Sequence, residues 1–294
     1  MSSSSNSVSR ETSAPEAATL PGNDLFATPL QIDDPGDCFF YHFMDLPGNV
    51  SVGETWDLRD HVDEYLGHLD YNGKRALDVG AASGFLSFEM EKRGAQVVSF
   101  DMASVENWNF VPHYRLNRHL PTIFKQRRDV HEKMINAYWY THAQLGSNNQ
   151  VHYGDVYQLP QALGQFDIVF MGTILPHLRD PFQAIYSASR LAENYMVITN
   201  PGRIHRIRDW LKGKRRFEAK FLPSETNETC DVWWALSISC IERMLETIGF
   251  NVVERVQLKA PCHTNQRVKK RSIVSLVAKR IWHLDDPAWS TAPG

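Results

Sequence analysis

The chain of 294 residues lacks the features that assign a protein quickly. Its four cysteines, Cys38, Cys230, Cys240 and Cys262, include no CxxC pair and stand far apart. That spacing excludes a zinc knuckle or disulfide scaffold and reads as reduced thiols in a cytoplasm. No uncharged apolar run reaches the roughly 20 residues needed to cross a bilayer, and mean hydropathy is −0.38, so no membrane role is expected. Thirty-one Lys plus Arg against 34 Asp plus Glu leave a formal charge of −3, so no global positive field draws the chain to polyphosphate. No His/carboxylate spacing argues for a metal, and no internal repeat is present. The N-terminal stretch has neither the basic-then-apolar pattern of a secretory signal nor, with Glu11 and Glu16, the composition of a transit peptide.

What is present divides the chain. Residues 1–24 are rich in Ser, Ala and Pro and read as a tail; residues 25–72 form a segment before the main domain; 73–280 form that domain, with insertions at 102–150 and 201–235; 281–294 are a second tail. Seven short β-branched or apolar runs mark strands at 75–79, 96–100, 151–153, 166–171, 195–199, 251–258 and 272–278. Helical stretches separate them. That alternation predicts an α/β fold with a doubly wound, mostly parallel sheet, and the last two runs read as an antiparallel edge hairpin. FLSFEMEKRG from Phe85 and SISCIERMLETIGF from Ser237 each end at a glycine and read as sheet-covering helices. The 102–150 stretch exceeds an ordinary connection, and IFKQRRDVHEKMINAYWYTHAQLG within it reads as an inserted helix of about six turns.

RALDVGAASGFLSFEM, from Arg75, is the most informative segment. A strand enters a turn of Gly80, Ala81, Ala82, Ser83 and Gly84 and passes directly into a helix, the place where a doubly wound sheet binds ligands. Glycines there let the backbone approach a ligand. A dinucleotide fingerprint is GxGxxG, whereas these glycines are GxxxG and Asp78 stands two residues ahead of them. A carboxylate at that point repels a pyrophosphate and attracts an ammonium group. Dinucleotide binding is the competing reading.

Together with SFDMA at the end of the second strand, GDVYQLP from Gly154 and FDIVFMGTILPHLRDP from Phe166, this segment resembles the class I S-adenosylmethionine-dependent methyltransferases over roughly residues 40–280. The resemblance implies a Rossmann-like, seven-stranded sheet with helical insertions after strands two and five, and S-adenosyl-L-methionine as cofactor. It places Asp78, Gly80, Ala81, Ser83, Gly84 and Phe85 around the methionine and ribose, and Asp101 with Met102 at the ribose hydroxyls. Asp155 and Val156 fall at the adenine, and Met171 and Gly172 beside the cofactor. Ala82 replaces a glycine common in that family, which suggests a slightly different loop path. FYHFMDLPGNVSVGETWDLRD and WWALSISCIERMLETIGF are similar to a subgroup of small-molecule enzymes and, more distantly, tRNA wobble-uridine carboxymethyltransferases. In that subgroup an aromatic-His pair and a Gly-x-x-x-Asp element close over the cofactor; here these are Tyr41, His42, Gly53, Trp56 and Asp57.

The acceptor side is less determined. His177 follows the fourth strand and is a candidate base, or simply fixes the turn before Pro181. Tyr41 and His42 are candidates to touch substrate; so are Tyr140, from the cluster Tyr138, Trp139, Tyr140 and His142, against core packing, and Trp234, against anchoring the second insertion. Arg203 opens the run RIHRIRDWLKGKRRFEAK, whose eight cations read as a solvated face, an anionic small-molecule site or an RNA contact. The leading expectation is methyl transfer to a small-molecule metabolite; the alternatives are RNA modification and a non-catalytic cofactor-binding protein. Oligomeric state is not legible.

Overall fold

A computed structural model of the chain describes residues 25–112, 119–202, 217–223, 230–264 and 267–282. The seven sequence-derived strands form one sheet. They are β3 (Arg75–Val79), β4 (Gln96–Asp101), β5 (Gln150–Tyr153), β6 (Phe166–Gly172), β7 (Ala192–Pro201), β10 (Phe250–Thr264) and β11 (Arg267–Arg280). The order across the sheet is β10-β11-β7-β6-β3-β4-β5. β3 to β7 are parallel, while β11 runs antiparallel to both β7 and β10, as the edge hairpin requires. The chain order reverses at β3, whose neighbours are β4 on one side and β6 on the other. A topological switch point therefore lies at the carboxyl ends of β3 and β6.

Two helices were legible from their stops. α2 (Phe85–Lys92) starts at Gly84, which takes a left-handed φ of 86°. α5 (Ile238–Thr247) is capped by the Ser237 hydroxyl, which accepts from the Cys240 N–H, and ends before Gly249 at φ 88°. α5 and α4 (Pro181–Ser189) cover one face of the sheet, where Ile241 and Leu245 meet Ile185 and Val274. α1 (Val62–Tyr65) and α2 cover the other, with Phe40, Tyr65, Met90 and Leu258 in one apolar cluster.

The helix at 102–150 differs from the expectation of an insertion. α3 (Leu120–Leu145) links β4 to β5, which are parallel neighbours and cannot be joined without a crossover. Its second half is that crossover, with Ala137, Tyr138, Trp139 and Thr141 buried on the sheet. Only its first half is additional. The 201–235 insertion also differs from a helical one in its described part. β8 (Ala219–Phe221) and β9 (Trp234–Leu236) make a two-stranded ribbon there. A further ribbon, β1 (Met44–Leu46) with β2 (Val50–Val52), lies in the segment before the sheet and was not read from the sequence.

Candidate active site

The turn after β3 is held by its neighbours rather than left open. Gly80 and Ala81 N–H both donate to Phe100 O on β4, at 2.8 and 3.2 Å. The Asp101 carboxylate then closes the loop, accepting from Ala82 N at 2.7 Å and Met102 N at 2.7 Å through different oxygens. Each oxygen keeps a lone pair. Burial pushes the carboxyl up from its ordinary value, against the downward pull of those two N–H groups.

One expectation for this turn needs correction. A side chain at Gly80 would collide first with the protein itself, since its Cβ would lie 2.4 Å from Ile174 Cγ2, and φ there is 88°. Glycine at 80 thus serves packing and chain reversal. Ala82 takes a left-handed φ of 51°, so alanine bears the strain there.

Asp78 is 1% exposed and faces α2. A run of hydroxyls points at it: Tyr138 OH lies 2.8 Å from Ser99 Oγ, Ser99 donates to Ser87 Oγ at 2.8 Å, and Ser87 donates to Asp78 Oδ2 at 2.6 Å. Because Ser99 spends its proton on Ser87, the Tyr138 hydroxyl must be the donor to Ser99. Burial pushes the Asp78 carboxyl up to about 7, with the Ser87 bond opposing. Its side chain thus organises the interior beneath the turn and makes no open salt-bridge site for an ammonium group, contrary to the direct contact expected. Ser83 is wholly buried and its Oγ accepts weakly from His42 N at 3.4 Å.

Between the turn, β4, β5 and α3 lies a cavity of about 10 Å³, lined by Asp101, His131, Tyr138 and Tyr153 among others. It has room for one water at most. A nucleoside has to reach Asp101 over the carboxyl edge, where that residue is half-buried.

The segment 25–72 brings Tyr41, His42 and Trp56 to this edge. Trp56 Nε1 donates to Tyr41 OH at 3.2 Å, and the His42 ring sits 4.9 Å from Tyr41 and 5.9 Å from Phe85. His42 is 9% exposed, its Nδ1 has no partner among the described residues, and burial pushes it down to about 4, so the ring is neutral at pH 7. The Gly-x-x-x-Asp element is architectural. A Cβ at Gly53 would fall 2.3 Å from Phe43 Cα, and Asp57 binds Arg59 twice, at 2.9 and 2.8 Å. The segment is pinned to the sheet edge by Asp57 N donating to Pro261 O and His263 N donating to Thr55 O.

His177 follows β6 in a short turn, and its Nδ1 lies 2.5 Å from Asp231 O. A carbonyl only accepts, so Nδ1 carries the proton and the neutral ring leaves its lone pair on Nε2. The two insertions meet beside it. Arg127 on α3 pairs with Asp231 at 2.5 Å, Val111 N donates to Cys230 O, and Trp233 Nε1 donates to Asn109 O at 2.6 Å. Asn109 Oδ1 also accepts from Tyr157 OH and from Arg179 N, tying the first insertion to the loop after β6.

The remaining expected residues scatter. Asp155 caps a short turn by accepting from Tyr157 N at 2.9 Å, while Val156 packs half-buried on the core. Met171 is fully buried, so only its backbone reaches the edge, and Gly172 has the Phe170 ring where a Cβ would go. Tyr140 packs edge-on against Phe40, 6.1 Å away, on the segment side of α3. Trp234 anchors the second insertion through Arg179 O. Arg203 lies outside the described residues. Thr173, which sequence reasoning missed, takes φ 56° despite its branched Cβ and shares hydrogen bonds with Tyr65 OH at 2.8 Å and Thr199 Oγ1 at 2.9 Å. Such an outlier marks a constrained site. No three metal-ligating side chains converge among the described residues, and no described helix is long and apolar enough to cross a membrane.

The fold recurs in solved structures. A methyltransferase from Methanosarcina mazei superposes with TM-score 0.50 at 14% identity, covering 77% of this chain and 100% of that one. The N-terminal domain of EvdMO1, crystallised with S-adenosylhomocysteine and D-fucose, gives TM-score 0.50 at 18% identity, over 83% and 91%. The chain has the class I S-adenosylmethionine-dependent methyltransferase fold. In sequence it is distantly similar to tRNA U34 carboxymethyltransferases, at 27% identity over 221 residues for the Ectopseudomonas mendocina protein and 24% over 226 for that of Pseudomonas putida. Those alignments cover 74% and 76% of this chain but 58% and 60% of the relatives, so the chain spans less than two thirds of their length. No family model matches it.

Proposed function

We propose that the chain transfers a methyl group from S-adenosyl-L-methionine to an oxygen or nitrogen acceptor. The observation that carries this reading is Asp101: a carboxylate at the switch point, fixed by two backbone N–H groups and keeping a free lone pair on each oxygen. That arrangement suits the two hydroxyls of a ribose. The turn itself, 80–86, holds no Lys or Arg to pair with a pyrophosphate, and two carboxyl groups lie beside it. When bound, the donor supplies an electrophilic methyl on a sulfonium centre.

The chain's own residues then do three things. Asp101, with Met102 and Val156 nearby, holds the nucleoside, and the turn from Gly80 to Phe85 borders the methionine part. Tyr41, Trp56 and Phe85 present aromatic faces suited to a sulfonium charge. His177 Nε2 takes the proton of a hydroxyl or amine acceptor, and Asp231 O holds the ring in the required tautomer. The two insertions shield this place from water.

The acceptor expected from the sequence is a small metabolite in a cytoplasmic setting, with the four cysteines as free thiols. A second reading, RNA, is favoured by the curated relatives, whose name states action on U34 of tRNA. Calorimetric titration with S-adenosylhomocysteine and, separately, NAD tests the donor. Binding of the first with silence from the second is expected; the reverse overturns the proposal.

A further inference from the structure

From Arg255 to Leu284 the sequence contains eight Lys and Arg residues and no Asp or Glu. The structure gathers the middle of that run into an arm. β11 pairs with β7 only from Ile273, opposite Pro201, onward. Residues 267–272 therefore continue past the carboxyl end of the parallel strands, their strand partner among the described residues being β10, with one further bond from Gly202 N to Ser272 O. Six residues at about 3.4 Å each make an overhang of roughly 20 Å. It rises from the edge of the sheet that carries the candidate site.

Arg267, Lys269 and Arg271 alternate along β11, so they share one face in a row spaced about 6.8 Å apart. All three are exposed, and no carboxylate lies within ion-pair distance of any of them among the described residues. Their cross-strand partners are Thr264, Cys262 and Ala260. The last two are buried under the segment that carries Tyr41 and Trp56, and Trp56 itself bridges to Cys262. The row thus passes Trp56 at the level of Lys269 and runs outward to Arg267. A line of cations without carboxylate partners among the described residues is the chemistry of a nucleic-acid backbone track.

We infer that this β-hairpin arm binds the phosphate backbone of an RNA acceptor and directs it to the site below. Regular spacing along a rigid strand matches a polymer of regularly spaced anions better than a single small anion, which one or two of these residues could satisfy. The inference rests on the proposed position of the transfer site and names the acceptor class for it.

The test is fluorescence anisotropy of a labelled, unmodified tRNA transcript across a salt series, on the full chain and on the triple variant Arg267→Gln, Lys269→Gln, Arg271→Gln. The expected result is a loss of about tenfold or more in affinity at physiological salt. The slope of log affinity against log salt should fall by about 2 to 3, since each phosphate contact contributes about 0.7 to 0.9. Lys92→Gln, on an exposed side chain at the far end of α2, should leave both unchanged. Equal binding by wild type and triple variant, no binding by either, or binding to phosphatidylserine vesicles in place of RNA overturns the inference. S-adenosylhomocysteine titrated into the same proteins separates the two claims. Retained binding in the triple variant shows that its fold and donor site are intact, whereas a wild type that binds RNA but no S-adenosylhomocysteine refutes methyl transfer and leaves the arm standing.

Discussion

The donor side and the acceptor side of the carboxyl edge are built in opposite ways. On the donor side, one continuous stretch from Asp78 to Met102 supplies the turn, its carboxylate clasp and the buried hydroxyl run, and nearly every polar atom has a partner within that stretch or on α3. On the acceptor side, His177, Asp231, Asn109 and Arg127 come from four separate segments joined by single hydrogen bonds or one half-exposed ion pair. The first is a rigid floor that a ligand meets ready-made. The second is a set of docked pieces whose alignment depends on both insertions staying together.

That contrast sets what substitutions should do. The largest effect belongs to His177→Ala: turnover should fall by about 10²–10⁴ while S-adenosylhomocysteine affinity stays within a factor of two or so, as read by labelled-methyl transfer and calorimetry. A change in affinity with no change in turnover would move His177 to the donor side. Asp101→Ala removes a charged hydrogen-bond acceptor, worth about 1.5–3 kcal/mol, and should weaken S-adenosylhomocysteine by about 10- to 100-fold. Asp101→Asn should keep part of the loop clasp and lose less.

Asp78→Asn separates the interior from the ligand. The folded Asp78 carboxyl titrates near 7 against about 4 in an unfolded chain, so the folded state holds the extra proton between those values. Its contribution to stability is therefore present below about pH 4 and lost as pH rises toward 7. A tenfold difference in proton affinity between the folded and unfolded chain is worth about 1.4 kcal/mol. The asparagine variant should show thermal unfolding that declines less between pH 4 and 7 and exceeds wild type at pH 8; a steeper decline would contradict the buried, protonated group. The smallest effect is Ala82→Gly, which relieves the left-handed strain and should raise stability by about 0.5–1 kcal/mol in a denaturant titration, with donor affinity unchanged.

The same contrast explains what could be read before folding. Seven strands, the edge hairpin and two helix ends were legible because period and glycine stops are local signals, as at Gly94 and Gly249. The donor turn was legible for a similar reason: its members sit within 25 residues. What each member does was less so, since only the folded chain shows Asp78 turned inward onto Ser87 and Ile174 filling the space at Gly80. The acceptor side was nearly silent. Nothing local to Asn109 or Asp231 announces that the two insertions meet beside His177, and the helix at 120–145 looked inserted because strand adjacency, which demands a crossover there, is a property of the sheet. The basic row at Arg267, Lys269 and Arg271 gains its meaning from the overhang past Pro201, which depends on register.

The most direct measurement is a crystal structure of the complex with S-adenosylhomocysteine. The ribose hydroxyls should lie within hydrogen-bond distance of the Asp101 carboxylate, with the sulfur atom on the same side of the sheet edge as His177 Nε2. A nucleoside bound away from Asp101, or a sulfur atom facing away from His177, would contradict that arrangement.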